Sequence, residues 1–247
     1  SLKLKKGVSD TTLTEYMQIN AVSNYITFST DASEAMRIDS SGNVGIKVVP
    51  KATNATVTGS LNVNRTGIIV RNSEQVYWSS NIYWDASDQM KSLGSGYGVA
   101  TAFIPSDGSQ RFYTTTASAG SADANLTLDE AMRITSTGEL LVGKATNSIA
   151  TAGTAISSTL GVRAAVDGDI GLLVNRLTSA GDLIDLRQNS VSAGSIGVES
   201  NAAYFAGVTY GIKPYSAGIA ASNSSGVFAD GAADLGKSDI RFKDLYL

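Results

Sequence analysis

The chain of 247 residues contains neither cysteine nor histidine. Without cysteine there is no disulfide, no thiolate zinc site and no thiol nucleophile. Without histidine the commonest general base is gone, and with it the usual Ser-His-Asp arrangement. Proline is confined to Pro50, Pro105 and Pro214. No apolar run approaches the roughly 18 residues of a membrane-spanning helix, and no signal peptide is visible, so membrane insertion is not expected. Charged residues are 17% of the chain, with a net charge of -3, where soluble domains average about 25% charged. Nucleic acid is not expected as a partner either, because such binding rests on clustered Lys and Arg neutralising phosphates. The single basic cluster, Lys3, Lys5 and Lys6, reads as a solvated terminus. A chain that starts with Ser rather than Met is what a fragment or processed product would show.

What is present points to β-structure. The apolar share of 43% is inflated by alanine; Leu, Ile, Val and Phe make up roughly a quarter of the chain, the low end for globular proteins. Disorder pairs low hydrophobicity with high charge, and the charge is missing here. The 25 glycines sit mostly beside Ser, Asn, Asp or Thr, as turn punctuation between short strands. No amphipathic helical stretch of useful length is found, so an all-β fold is expected.

An internal repeat is the clearest signal. Residues 34–47 read Glu-Ala-Met-Arg-Ile-Asp-Ser-Ser-Gly-Asn-Val-Gly-Ile-Lys, and residues 130–144 read Glu-Ala-Met-Arg-Ile-Thr-Ser-Thr-Gly-Glu-Leu-Leu-Val-Gly-Lys. Each copy predicts a β-hairpin; the alternative is a short helix capped by Ser33 or Asp129, which Ser-Ser-Gly-Asn would end after about one turn. Met36 and Ile38 share one parity, Ser40 to Asn43 supply a turn with Gly42 free to be left-handed, and Val44 and Ile46 resume the apolar face. Met132, Ile134, Gly138, Leu140 and Val142 repeat the arrangement. Further apolar runs of strand length are Gly171–Asn175, Asp182–Leu186 and Ser195–Val198. A weaker echo links Gly59–Arg65 with Leu172–Arg176.

Short strands with one narrow apolar face are not stable as isolated hairpins. They must stack as a solenoid or be completed by sister chains. The 20–30-residue period of a solenoid is absent. Trimerisation is the better expectation.

Candidate chemistry is sparse. Asp85 with Asp88, or Asp182 with Asp185, could form a carboxylate pair for glycoside hydrolysis; acidic residues beside Gly and Ser are more often solvated turn residues. Asp167-Gly168-Asp169 could lend oxygens to calcium, but a plain turn explains it equally well. Gly94–Gly98 lacks the lysine and helix of a phosphate loop and reads as a flexible turn before a strand at 99–104. No catalytic residue, metal or cofactor is assigned. The aromatics are more informative. Tyr77, Trp78, Tyr83, Trp84, Tyr97 and Tyr113, with Phe103 and Phe112, crowd into one segment between the two copies of the repeat. Such rings could stack on a sugar or form the core of a small β-domain, and both hold if some face inward and others outward.

The repeat phrase 34–46, the pairs Gly181–Arg187 with Gly194–Gly197, and the ending Asp234-Leu-Gly-Lys-Ser-Asp-Ile-Arg-Phe-Lys-Asp-Leu-Tyr-Leu247 together resemble bacteriophage tail fibres and tailspikes that carry a C-terminal intramolecular chaperone. The resemblance covers about a third of the chain, and the chaperone domain itself is absent. It implies an elongated homotrimeric fibre of triple β-helix or β-prism type, with a small β-rich bulb, attached to phage tail proteins in the virion. The implied work is adhesion to a host receptor, a surface glycan or outer-membrane component, with Tyr77, Trp78, Tyr83, Trp84, Tyr97 and Tyr113 as receptor-binding candidates. The corresponding divisions are a fibre repeat at 1–58, an aromatic-rich insert at 59–125, a second repeat at 126–158 and a C-terminal β region at 159–247. A tailspike depolymerase and a bacterial trimeric adhesin are the alternatives. Leu247 is either where the chaperone domain was removed or where the chain was cut.

Overall fold

A computed structural model describes residues 2–5, 15–30, 33–51, 57–71 and 75–234. All regular structure among them is β. The strands are β1 (Leu2–Lys5), β2 (Glu15–Asn20), β3 (Tyr25–Thr30), β4 (Ser33–Ile38), β5 (Val44–Ile46), β6 (Val57–Val63) and β7 (Thr66–Arg71). They continue with β8 (Gln75–Ser80), β9 (Ile82–Trp84), β10 (Met90–Ser92), β11 (Val99–Ile104), β12 (Ser109–Thr115), β13 (Leu128–Ile134) and β14 (Leu140–Val142). Last come β15 (Gly153–Ser157), β16 (Gly161–Ala165), β17 (Gly181–Gln188), β18 (Val191–Glu199), β19 (Ala202–Gly207), β20 (Tyr210–Tyr215) and β21 (Gly218–Asn223).

The chain divides into two units, 1–171 and 172–247. The first holds a 14-stranded sheet in the order β1 to β8, then β11 to β16, with β9 and β10 paired separately as a hairpin. The second holds a five-stranded meander, β17 to β21.

Both copies of the repeat fold as hairpins with one register. Met36 stands opposite Ile46 and Ile38 opposite Val44, while Met132 stands opposite Val142 and Ile134 opposite Leu140. Gly42 and Gly138 close the turns at φ +82° and +79°. The likeness extends to the strand before each hairpin. Phe28 pairs with Met36 and Phe112 with Met132, and in both places the register then slips by one residue, bulging Ala35 and Ala131. The bulge matters because residues i and i+3 of a regular strand point to opposite faces. Slipping the register turns Glu34 to the side of Arg37, where the carboxylate takes Nε at 2.9 Å and Nη2 at 2.6 Å. Glu130 holds Arg133 the same way. Strands β2 to β7 and β11 to β16 thus form two successive modules of one sheet.

Both faces of this sheet carry apolar side chains, and only one of them is covered. One face carries Thr27, Asn62, Ser79, Ala100, Tyr77, Ala102, Leu141 and Ala155, all buried within the chain. It is covered partly by the β9–β10 hairpin, whose Ile82 and Trp84 join Ile69, Tyr77, Ala102 and Ile104 in the core. The other face carries the larger aliphatics in rows that cross the strands. One row runs Ile19, Ile26, Ile38, Val44, Leu61, Ile68 and Trp78, each opposite the next. It continues through Thr101, Phe112, Met132 and Val142. A parallel row runs Val76, Phe103, Gln110, Ile134, Leu140, Ile156 and Val162. Leu61, Ile68, Trp78, Phe103, Ile134, Val142, Ile156 and Val162 are exposed.

The five-stranded sheet repeats the pattern. Tyr204, Ala206, Lys213 and Ser222 are buried on one face. Ile184, Ile196, Phe205 and Ile212 form a row on the other, the last three exposed. Tyr204 fits because Gly197 and Gly226 have no side chain; a Cβ on either would overlap its ring. The expected strand at 171–175 does not form. Residues 171–180 carry no strand, although Leu172, Leu173 and Val174 have strand-like composition. Asp182–Leu186 and Ser195–Val198 fall in β17 and β18 as expected. The ending from 235 onward lies outside the described residues.

Candidate binding and assembly surfaces

The aromatic segment splits by strand parity. On β8, Tyr77 points into the core and Trp78, one residue on, is 57% exposed. Tyr77 packs against Trp84 with ring centroids 4.9 Å apart and lies 6.5 Å from half-buried Tyr113. The Arg71 guanidinium stacks over Trp84 at 4.6 Å and reaches Asp88 at 2.5 Å. Tyr83 is buried, and its hydroxyl donates to Asp123 Oδ1 at 2.7 Å, while Lys51 Nζ bonds the same carboxylate at 2.9 Å. Burial, then the bond to Asp123, raises the Tyr83 phenol above its ordinary value. Lys51, then Tyr83, holds Asp123 below the usual carboxylate range. Of the six receptor-binding candidates, Tyr77, Tyr83 and Trp84 are therefore interior, Tyr113 is half-buried, and Trp78 and Tyr97 face out.

Those two exposed rings have different settings. Trp78 lies in the apolar row, edge-on to Phe103 at 5.8 Å. With Leu61, Ile68, Val99 and Phe112 it lines an open groove of about 640 Å³. Tyr97, 64% exposed, sits in the turn between β10 and β11. That turn is clamped, which corrects the expectation of a flexible Gly-rich segment. Asn81 Nδ2 donates to the carbonyls of Gly96 at 3.1 Å and Tyr97 at 3.3 Å. Arg65 in turn donates to Asn81 Oδ1 at 2.6 Å, and Gly96 pairs with Ala119 through both backbone groups.

The acidic pairs serve turns and ladders. Asp85 Oδ1 accepts the backbone N–H groups of Ser87 and Gln89 at 2.8 and 2.9 Å. Asp182 accepts from Tyr204 at 2.7 Å, and Asp185 from Ser192 at 2.8 Å and Arg187 at 2.6 Å. Hydrogen bonds from Ser195 and Tyr204 lower the Asp182 carboxyl, and those from Ser192 and Arg187 lower Asp185. A glycosidic general acid needs the opposite shift. The Tyr204 phenol is pushed up to about 12, by burial first and then by Asp182. Asp169 accepts the N–H of the next residue, Ile170, at 2.7 Å. Among the described residues no group of three acidic side chains gathers as a cation site, and no helix is long and apolar enough to cross a membrane.

No family model, curated protein or solved structure matches the chain.

Two features of these surfaces lie outside the expectations from sequence. The bulge at Ala35 and Ala131 was hidden because it depends on the partner strand. The tetrapeptide Lys-Ala-Thr-Asn, at 51–54 and again at 144–147, was in plain view. Its lysine is placed differently in the two modules: Lys51 meets Asp123, whereas buried Lys144 donates to the carbonyls of Ser148 and Thr151 at 2.7 and 2.8 Å.

Proposed function

We propose that the chain is a segment of a homotrimeric bacteriophage tail fibre, a structural part of the virion that carries host attachment. The observation that supports this is the second, open apolar face: each sheet buries one face within the chain and leaves exposed another that is crossed by rows of large apolar side chains. Contiguous apolar patches of this extent mark interaction surfaces, and burial gains about 25 cal/mol per Å² of apolar area. Three copies packing these faces around a common axis would supply the core that each lacks. With strands about 4.8 Å apart, the rows of the larger sheet extend on the order of 60 Å along the hydrogen-bonding direction, which suits a rod with its strands set across its length. Trp78, in the middle of a row, belongs to the assembly surface on this reading. Tyr97, held outward on a clamped turn, is the ring left for a receptor.

Light scattering tests the reading. A particle of three times the 25.6 kDa chain mass is expected, and Trp78→Asp is expected to release monomers by burying a charge at the interface. A monodisperse wild-type monomer would overturn it.

A further inference from the structure

We propose that the outer edge of β16 is completed by residues 170–174 of a second copy of the chain, so that copies are joined by a shared sheet as well as by packed faces. The inference rests on the trimer reading.

The two modules of the large sheet supply the argument. In the first, the outer edge of β7 is occupied by β8, and Ile68 beside Trp78 carries the apolar row onward. In the second, β16 corresponds to β7, and its only neighbour among the described strands is β15. Its edge therefore presents a row of backbone donors and acceptors with no ladder partner among the described residues, a template for another strand. Val162, on that edge, ends a long apolar row.

The segment that would fit has strand grammar and belongs to no strand. Ile170, Leu172 and Val174 share one parity, and Gly171, Leu173 and Asn175 the other. Its apolar side chains are uncovered: Leu172 is 71% and Leu173 77% exposed. Laid antiparallel or parallel along β16, the face carrying Ile170, Leu172 and Val174 would put one of the three opposite Val162 and continue the row that stops there. Leu172-Leu-Val-Asn-Arg176 also echoes Leu61-Asn-Val-Asn-Arg65, which in the first module is strand β6 and its turn. An unpaired edge and an exposed β-competent run are each aggregation hazards alone. Each satisfies the other when contributed by neighbouring copies, and rotational symmetry provides one donor for every edge.

The absence of cysteine makes the test clean. Chains carrying Val162→Cys and chains carrying a cysteine at Ile170, Leu172 or Val174 are assembled together and oxidised, then resolved without reductant. Inter-chain disulfides are expected for at least one pairing, and none with either variant alone. A trimer by light scattering that gives no inter-chain disulfide at any position overturns the exchange and leaves the trimer standing. So does a disulfide that forms only within one chain when both cysteines are placed together, since residues 170–174 would then fold back on their own β16. A monomer overturns both.

Discussion

The hairpins β4–β5 and β13–β14 begin alike, with the same five residues, the same bulge and the same glycine turn, and then hand the chain on in different directions. Strand β6 returns parallel to β5, with Val44 opposite Leu61, whereas β15 runs antiparallel to β14, with Leu140 opposite Ile156. The connections, residues 47–56 and 143–152, are equal in length, so length does not decide the outcome. One difference bears directly on the space beside each hairpin. Gly45 in the first hairpin corresponds to Leu141 in the second. After β5 the chain lies back across Gly45, so closely that a Cβ there would overlap the Val48 carbonyl oxygen and stand 2.8 Å from Pro50 Cδ. Leu141, 1% exposed, fills the equivalent space with its own side chain. The chain beyond it then turns back around Lys144, whose ammonium collects two carbonyls. A glycine gives the space to the backbone, and a leucine keeps it for the core.

Exchanging these two residues should have the largest effect. Gly45→Leu is expected to displace residues 48–50 and dissolve the β5–β6 pairing, at a cost of about 3 kcal/mol or more. Leu141→Gly is expected to cost about 3–5 kcal/mol through its cavity and the added backbone freedom. Urea unfolding of each variant measures both, and unchanged midpoints would show that this position does not steer the chain.

The two lysines sharpen the comparison at an intermediate scale. Lys144→Met strands two carbonyl oxygens and should cost about 1–3 kcal/mol. Lys51→Met breaks an exposed pair with Asp123 and should cost at most about 1 kcal/mol. Thermal unfolding of the two variants side by side should show the larger drop for Lys144, and equal drops would erase the distinction.

The smallest effect concerns the residue after each hairpin. Lys47 and Gly143 both bond the bulged alanine's carbonyl, at 2.9 and 3.0 Å, and both are left-handed, at φ +54° and +68°. A side chain there costs roughly 1 kcal/mol. Lys47→Gly should therefore raise stability by up to about 1 kcal/mol, and Gly143→Ala should lower it by a similar amount. Calorimetry on the two variants should find shifts of opposite sign.

Much of this architecture was legible in the sequence because it is local. The parity of Met36 and Ile38, the glycine at 42 and the apolar residues at 44 and 46 specify a hairpin and its register within one short stretch. What was not legible depends on partners distant in sequence. The bulge at Ala35 needs Phe28 and Ser29 opposite it, and the inward or outward sense of Tyr77 and Trp78 needs the sheet around β8. Parity placed them on opposite faces but could not say which face the β9–β10 hairpin would cover. Composition misled at 171–175, where three apolar residues in a row suggested a strand and the chain forms none. The Gly94–Gly98 segment looks loose in sequence because its clamp, Arg65 through Asn81, lies far upstream.

The in-phase junction between the modules has one more consequence. Ile68, Trp78 and Thr101 stand side by side across β7, β8 and β11, so the second module starts with its faces already aligned to the first. Copies of the module could be added or removed whole and every face would keep its sense, whereas one residue inserted within a strand would reverse everything beyond it in that strand. The number of strands in the sheet is then a matter of copy number, which gene duplication can change without any redesign of the interior.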